Sequence, residues 1–146
     1  MRSRVVSAFT LVEILIVVVI LGILAAIVIP QFTSATQDAQ SSATYNELQK
    51  LRRTVGLFRV RNSDAYPSVA DGDGTWGEIV GNQYEYLLSA PVNAWVGGPN
   101  SKVVKVIPDA TPDTAYQRDY AWIFDPNSGQ VWAGGFDVND QPLPRS

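Results

Sequence analysis

Phe9-Thr10-Leu11-Val12-Glu13-Ile14-Leu15-Ile16-Val17-Val18-Val19-Ile20-Leu21-Gly22-Ile23-Leu24-Ala25-Ala26-Ile27-Val28-Ile29-Pro30 holds a single charge, Glu13, in an otherwise almost wholly apolar run. Residues 9–29 make 21 residues. As a helix they reach roughly 31 Å at about 1.5 Å per residue, and a bilayer core is about 30 Å thick. This stretch is therefore read as a membrane-crossing helix. The flank before it, residues 1–8, carries Arg2 and Arg4. A basic flank followed by an apolar run also describes a secretory signal peptide. The run is too long for that, and Ile27-Val28-Ile29-Pro30 has no small-x-small cleavage site. As a plain anchor the segment keeps Arg2 and Arg4 in the cytoplasm and sends the C-terminal region outside.

Charge and composition bound the remainder. The chain has 146 residues, enough for one modest domain, and a net charge of −3. That mild acidity conceals segregation. Residues 30–61 have five basic and two acidic groups, and residues 62–146 have four basic and eleven acidic ones. No whole-chain basic excess points to nucleic acid. Cysteine and histidine are both absent. Disulfides, His/Cys zinc sites and Ser-His or Cys-His nucleophile pairs are thereby excluded, and a metal has only oxygen ligands to use. No Gly-rich phosphate loop or placeable carboxylate pair is found, so no catalytic residue is assigned and an enzyme is not expected.

The run from Ala8 through Phe9, Thr10, Glu13, Gly22 and Pro30 to Gln31-Phe32 resembles the prepilin N-terminal signature of type IV pilins and type II secretion pseudopilins. The match is nearly continuous over about 25 residues and includes a polar Thr and a Glu inside an apolar run. The resemblance implies a prepilin peptidase that cuts between Ala8 and Phe9 and methylates the new amine. A 138-residue mature chain would remain. The family usually has Gly before the cut. Ala8 departs from that, but its small side chain still suits a narrow subsite. The resemblance also implies the partners: other pilins or pseudopilins in a filament, an assembly ATPase and a polytopic platform protein. The implied location is the bacterial inner membrane, with the C-terminal region periplasmic or extracellular.

Within that frame Glu13 has a physical role. A carboxylate in an apolar helix costs on the order of 3 kcal/mol at mid-membrane. After cleavage Glu13 lies in the first helical turn, where the macrodipole favours negative charge. The expectation is that it pairs with the Phe9 amine of a neighbouring subunit and sets the register of assembly. The bland alternative has Glu13 merely facing headgroups. Gly22 and Pro30 are the weak points of the helix, because Gly propagates a helix poorly and Pro lacks an N–H. Pro30 either marks the membrane exit or closes a stretch that loses helicity on assembly.

After Pro30 the pattern turns amphipathic. Phe32, Ala35, Ala39, Ser42, Tyr45, Leu48, Leu51, Val55 and Phe58 recur at three- and four-residue steps and are assigned to one core-facing helical side. Lys50, Arg52, Arg53, Arg59 and Arg61 cluster near the helix end. They either compensate the dipole or meet the acidic region of another subunit. Beyond Asn62 come eight of the nine prolines and all four tryptophans, and this region reads as turn-rich with short strands. The tryptophans are assigned to the core and subunit contacts before a sugar site. Asp71-Gly72-Asp73-Gly74 reads as a loop and Lys102–Ile107 as a strand. Tyr84–Leu88 is either a short helix or extended. Ala121–Phe124, Asp125–Gly129 and Gln130–Ala133 read as a hairpin.

The expected fold is therefore α+β and pilin-like. It has a leader at 1–8, a transmembrane half-helix at 9–29 and an amphipathic half-helix at 30–62. Residues 63–146 form a region with a small antiparallel sheet of three or four strands. Tyr86-Leu87-Leu88 through Pro91-Val92-Asn93 and Ala121–Phe124 loosely resemble type II secretion pseudopilins. Major members of that group bind calcium in a C-terminal loop, for which Asp137, Asn139 and Asp140 are the oxygen candidates. The run lacks the family's loop pattern and any EF-hand spacing, so a solvated polar turn is the preferred reading. Many type IV pilins close this region with a disulfide, which is impossible here and favours the pseudopilin. The leading function is a filament subunit of type II secretion. The alternatives are a pilus subunit or a single-pass anchored binding module.

Overall fold

A computed structural model describes residues 9–81 and 86–145. Ala8 and the rest of the leader, together with Tyr84 and Glu85, lie outside the described residues. The chain divides into two compact units, Met1–Gln37 and Asp38–Ser146.

Helix α1 runs Leu11–Arg61. Its start is set by Thr10 and Glu13. The Thr10 backbone N–H and hydroxyl both donate to Glu13 Oε2 at 2.8 Å, and the Glu13 N–H donates to Thr10 Oγ1 at 3.3 Å. This reciprocal capping box satisfies helix-terminal N–H groups that have no partner within the helix. The helix thus begins two residues after Phe9. The backbone stays helical through Gly22 and Pro30. At the other end Arg59 and Arg61 occupy the last turn. The Asn62 N–H bonds to Phe58 O at 3.0 Å before the chain turns away.

In the second unit three short strands form one sheet: β1 Val104–Val106, β2 Trp122–Phe124 and β3 Val131–Ala133, in the order β1-β2-β3. The expected hairpin is present, with Phe124 opposite Val131 and Trp122 opposite Ala133. Its loop closes through the Gly129 N–H on Asp125 O at 2.8 Å, with Gly129 at φ 70. A side chain there would be strained and would strike the Tyr66 ring. The expectation of an antiparallel sheet is corrected at its other side. β1 pairs parallel with β2, Val104 opposite Trp122, so the sheet is mixed. The 15-residue crossover from Ile107 to Ala121 is long enough to bring β2 back in the same direction. The loop at Asp71–Gly74 covers the outer edge of β1. The Gly72 N–H bonds Val104 O at 2.8 Å, the Val104 N–H bonds Asp73 O at 2.7 Å, and the Val106 N–H bonds Asp71 Oδ1 at 2.7 Å. Leu87 is extended, bridged to Val80.

The core gathers Leu48, Leu51, Val55 and Phe58 from α1 against Trp122, Phe124, Val131 and Ala133 of the sheet, with Trp76, Trp95 and Phe136 filling in from loops. Each such side chain contributes roughly 1.5–3 kcal/mol by leaving water. The four tryptophans divide accordingly: Trp76, Trp95 and Trp122 are buried and Trp132 is half-buried. Trp76 meets Phe124 edge-on at 5.8 Å, and Trp95 meets Phe136 edge-on at 6.3 Å.

The expected core face of α1 is corrected in its first half. Phe32, Ala35, Ala39, Ser42 and Tyr45 are exposed, and the buried stripe begins instead at Thr44. The cause is a polar junction. The Thr44 hydroxyl donates to Asn93 Oδ1 at 3.2 Å and accepts from the Trp95 N–H at 3.0 Å. Asn93 in turn accepts from the Val96 N–H at 2.9 Å and donates to Ala121 O at 2.7 Å and Gly134 O at 3.0 Å. Thr44 and Asn93 are both fully buried. A buried hydroxyl with these partners is tolerated where an unpaired one is not.

Candidate functional site: the apolar half of the helix and the C-terminal loop

The first unit presents its apolar side chains outward. Phe9, Leu11 and the Val, Ile and Leu residues from 12 to 29 are each more than 40% exposed within the chain. Contiguous apolar surface of this extent marks a surface that another phase or another molecule covers. The helix is long and apolar enough to cross a membrane. The one charge within residues 9–29, Glu13, sits at the N-terminal edge, on the capping box already described. The structure therefore brings Glu13 and Thr10 together, and Phe9, 82% exposed, precedes them. The sequence reading found Glu13 but missed Thr10 as its partner. The signal was present, because Thr followed three residues later by Glu at the start of an apolar run is the capping-box pattern.

The second unit carries most of the polar geometry. Of the five basic residues near the end of α1, four are engaged within the chain. Arg52 reaches Asp140, Lys50 reaches Glu47 at 3.4 Å, and Arg59 reaches Asp64 at 3.1 Å. Arg61 stacks 5.7 Å from the Tyr86 ring. Exposed pairs such as Lys50–Glu47 contribute little to stability. Arg52 is different, being shielded and forked onto both carboxylate oxygens of Asp140, at 2.5 and 2.9 Å.

Two titrating groups are displaced from their ordinary range. The Ser128 hydroxyl donates to Asp125 Oδ2 at 2.6 Å, and the Asn127 and Asp109 N–H groups donate to Oδ1 at 2.9 and 3.2 Å. These bonds hold the Asp125 carboxyl below the usual carboxylate range against the opposing effect of burial. Tyr120 is pushed upward by desolvation and by its 2.6 Å hydrogen bond to Asp113. Both groups order loops around the sheet.

Two of the three calcium candidates, Asp137 and Asp140, spend carboxylate oxygens on partners within the chain. Asp137 Oδ1 accepts the N–H groups of Asn139 at 2.8 Å and Gln141 at 2.9 Å. Both oxygens of Asp140 face the Arg52 guanidinium, and a metal needs several free oxygens around one point. Among the described residues no group of three or more Asp or Glu side chains is placed to hold a metal ion.

An outward-facing apolar half-helix, followed by an amphipathic half-helix whose buried stripe packs on a small sheet, defines the pilin-like class of membrane-anchored subunits. Residues 3–29 match the family described as Prokaryotic N-terminal methylation motif. The chain is 36% identical over 107 residues to type II secretion system core protein G of Pseudomonas aeruginosa, covering 68% of this chain and 74% of that protein. It is 32% identical over 72 residues to the protein of the same name from Aeromonas hydrophila, about half of each chain. Type IV major pilin protein PilA of Myxococcus xanthus is 39% identical over 82 residues, covering 56% of this chain and 36% of that one. No solved structure matches the chain. The chain belongs to the family of type II secretion system core protein G, a family of structural pseudopilin subunits.

Proposed function

We propose that this chain is a filament-forming pseudopilin of a type II secretion system. Prepilin peptidase removes residues 1–8 by cutting between Ala8 and Phe9 and methylates the Phe9 amine. The subunit is then stored in the inner membrane, N-terminus cytoplasmic and second unit periplasmic. An ATPase-driven platform extracts it into a filament with other pseudopilins. The observation that carries this reading is the apolar surface of residues 9–29, which the described residues of the first unit leave exposed. Outside lipid, such a surface is removed from water only by packing against copies of itself.

Glu13 supplies the register. Among the described residues its carboxylate accepts neutral donors from Thr10. The methylated ammonium of a neighbouring Phe9 is the cation that a desolvated carboxylate demands. Gly22 and Pro30 remain the positions where the helix yields most readily when packing changes. The similarity to the Myxococcus xanthus pilin favours a second reading, a longer surface pilus built on the same helix contacts.

The test is mass-spectrometric sequencing of the N-terminus from native membranes, with and without the peptidase, alongside Glu13→Ala. A methylated Phe9 start and a Glu13→Ala subunit that inserts but does not assemble are expected. An intact Met1 with active peptidase present would leave an anchored binding module as the better reading. Normal filaments from Glu13→Ala would remove the register role.

A further inference from the structure

The C-terminal loop is closed at its base and held from outside by arginine. Phe136 bridges Pro142, the Asp137 N–H bonds Gln141 O at 2.9 Å, and the Leu143 N–H bonds Gly135 O at 2.8 Å. At the tip Asp140 adopts φ 57, a left-handed conformation that Asp and Asn tolerate better than most residues. Its carboxylate meets Arg52, which comes from the middle of the buried half of α1. The third donor of that guanidinium, Nε, bonds Val131 O at 3.0 Å. One planar group thus ties the helix, the outer edge of β3 and the loop together through three directed bonds. The two side chains are 32% and 18% exposed, so solvent screens them only in part.

The far end of the same segment is held similarly. Arg145 Nη2 donates to Gln40 Oε1 of α1 at 2.7 Å and to Trp95 O at 2.6 Å. Its guanidinium lies 4.0 Å from the Trp95 ring centroid. Cation–π stacking and hydrogen bonding act together there.

We propose that Arg52 is the resident cation of the C-terminal loop. A guanidinium supplied by the helix takes the place a divalent ion would hold among the loop carboxylates, and the folded state of this chain is independent of calcium. Three features support it. Both Asp140 oxygens are bonded to a group of fixed positive charge. One of the two Asp137 oxygens, Oδ1, already carries two backbone donors. A fork with donors toward both a carboxylate and a carbonyl fixes direction as well as charge, which a point charge such as Lys does not.

The experiment uses the full chain in detergent micelles. Thermal unfolding is followed by tryptophan fluorescence, and limited proteolysis within residues 137–145 by mass spectrometry, each in EGTA and in millimolar calcium. Wild type is expected to give the same midpoint and the same cleavage rate in both. Asp140→Asn and Arg52→Gln are each expected to raise cleavage about tenfold, as loss of a charge-assisted pair predicts. Arg52→Lys should recover only part of the protection. Asp140→Asn keeps a residue suited to the left-handed turn, so it carries the test if Arg52→Gln does not fold. Calcium that slows wild-type cleavage or raises its midpoint, with the effect lost in Asp140→Asn, would overturn the proposal. So would an Asp140→Asn loop as resistant as wild type in EGTA.

Discussion

Replacing Asn93 by alanine tests the buried polar junction directly. The Asn93 carboxamide makes four hydrogen bonds, two accepted from Val96 N–H and Thr44 Oγ1 and two donated to Ala121 O and Gly134 O. Ala121 O keeps a second donor, the Gly134 N–H at 2.7 Å, and the Thr44 hydroxyl keeps the Trp95 N–H. The substitution therefore removes the acceptor of the Thr44 O–H and strands two buried backbone groups, the Val96 N–H and Gly134 O, which set the minimum cost. Each costs about 1–3 kcal/mol when left unpaired, so the loss is about 2–6 kcal/mol. Domain stability is only about 5–15 kcal/mol in total. At about 4 °C per kcal/mol for a unit of this size, the thermal midpoint falls by roughly 8–24 °C. The assay is thermal unfolding of the full chain in detergent, read by tryptophan fluorescence, with Asn46→Ala on the exposed face of α1 as a control expected to be silent. Thr44→Val, which strands only the Trp95 N–H, should fall between the two. An Asn93→Ala midpoint within about 3 °C of wild type would refute the reasoning, since that is less than the cost of a single unpaired group.

Two further outcomes follow from local geometry. Asp125 is held below its ordinary range by Ser128, Asn127 and Asp109, so its stabilisation is fully present above the unfolded carboxylate value of about 3.9 and is lost as pH falls through the lower folded value. Wild type should accordingly lose more stability than Asp125→Asn on acidification below about pH 4, and parallel pH profiles would contradict this. Gly77 has φ 53, and a Cβ there would strike the Ser68 carbonyl, which is backbone and cannot swing aside. Gly77→Ala should lower stability by at least about 1–2 kcal/mol in denaturant titration, and an unchanged midpoint would show that the turn relaxes freely.

What the sequence made legible was local. The apolar run at 9–29, the amphipathic continuation to Arg61 and the hairpin around Asp125–Gly129 all announce themselves within a window of a few turns. The parallel pairing of β1 with β2 does not, because a 15-residue irregular crossover carries no periodic signal of direction. Apolar periodicity places Tyr45 in the core and passes over Thr44, because it counts hydrophobicity and ignores satisfaction. Thr44 is buried for the sake of Asn93, 49 residues away. Asp137, Asn139 and Asp140 were legible as a polar turn, but the guanidinium that meets Asp140 comes from 88 positions earlier in the chain. Glu13 was found through its oddity in an apolar run, and its partner Thr10 was overlooked although it lies only three residues away.

Each margin of the small sheet is partly occupied by the chain itself. Backbone from the Asp71–Gly74 turn occupies the outer side of β1, and the Arg52 Nε takes the outward carbonyl of Val131 on β3. Open margins recruit strands from other chains, and the hazard grows with local concentration. A membrane-anchored subunit of this family meets that hazard wherever copies gather. With these groups taken, an incoming strand meets fewer open partners at either margin. Association with other copies is then left to the apolar surface that residues 9–29 present.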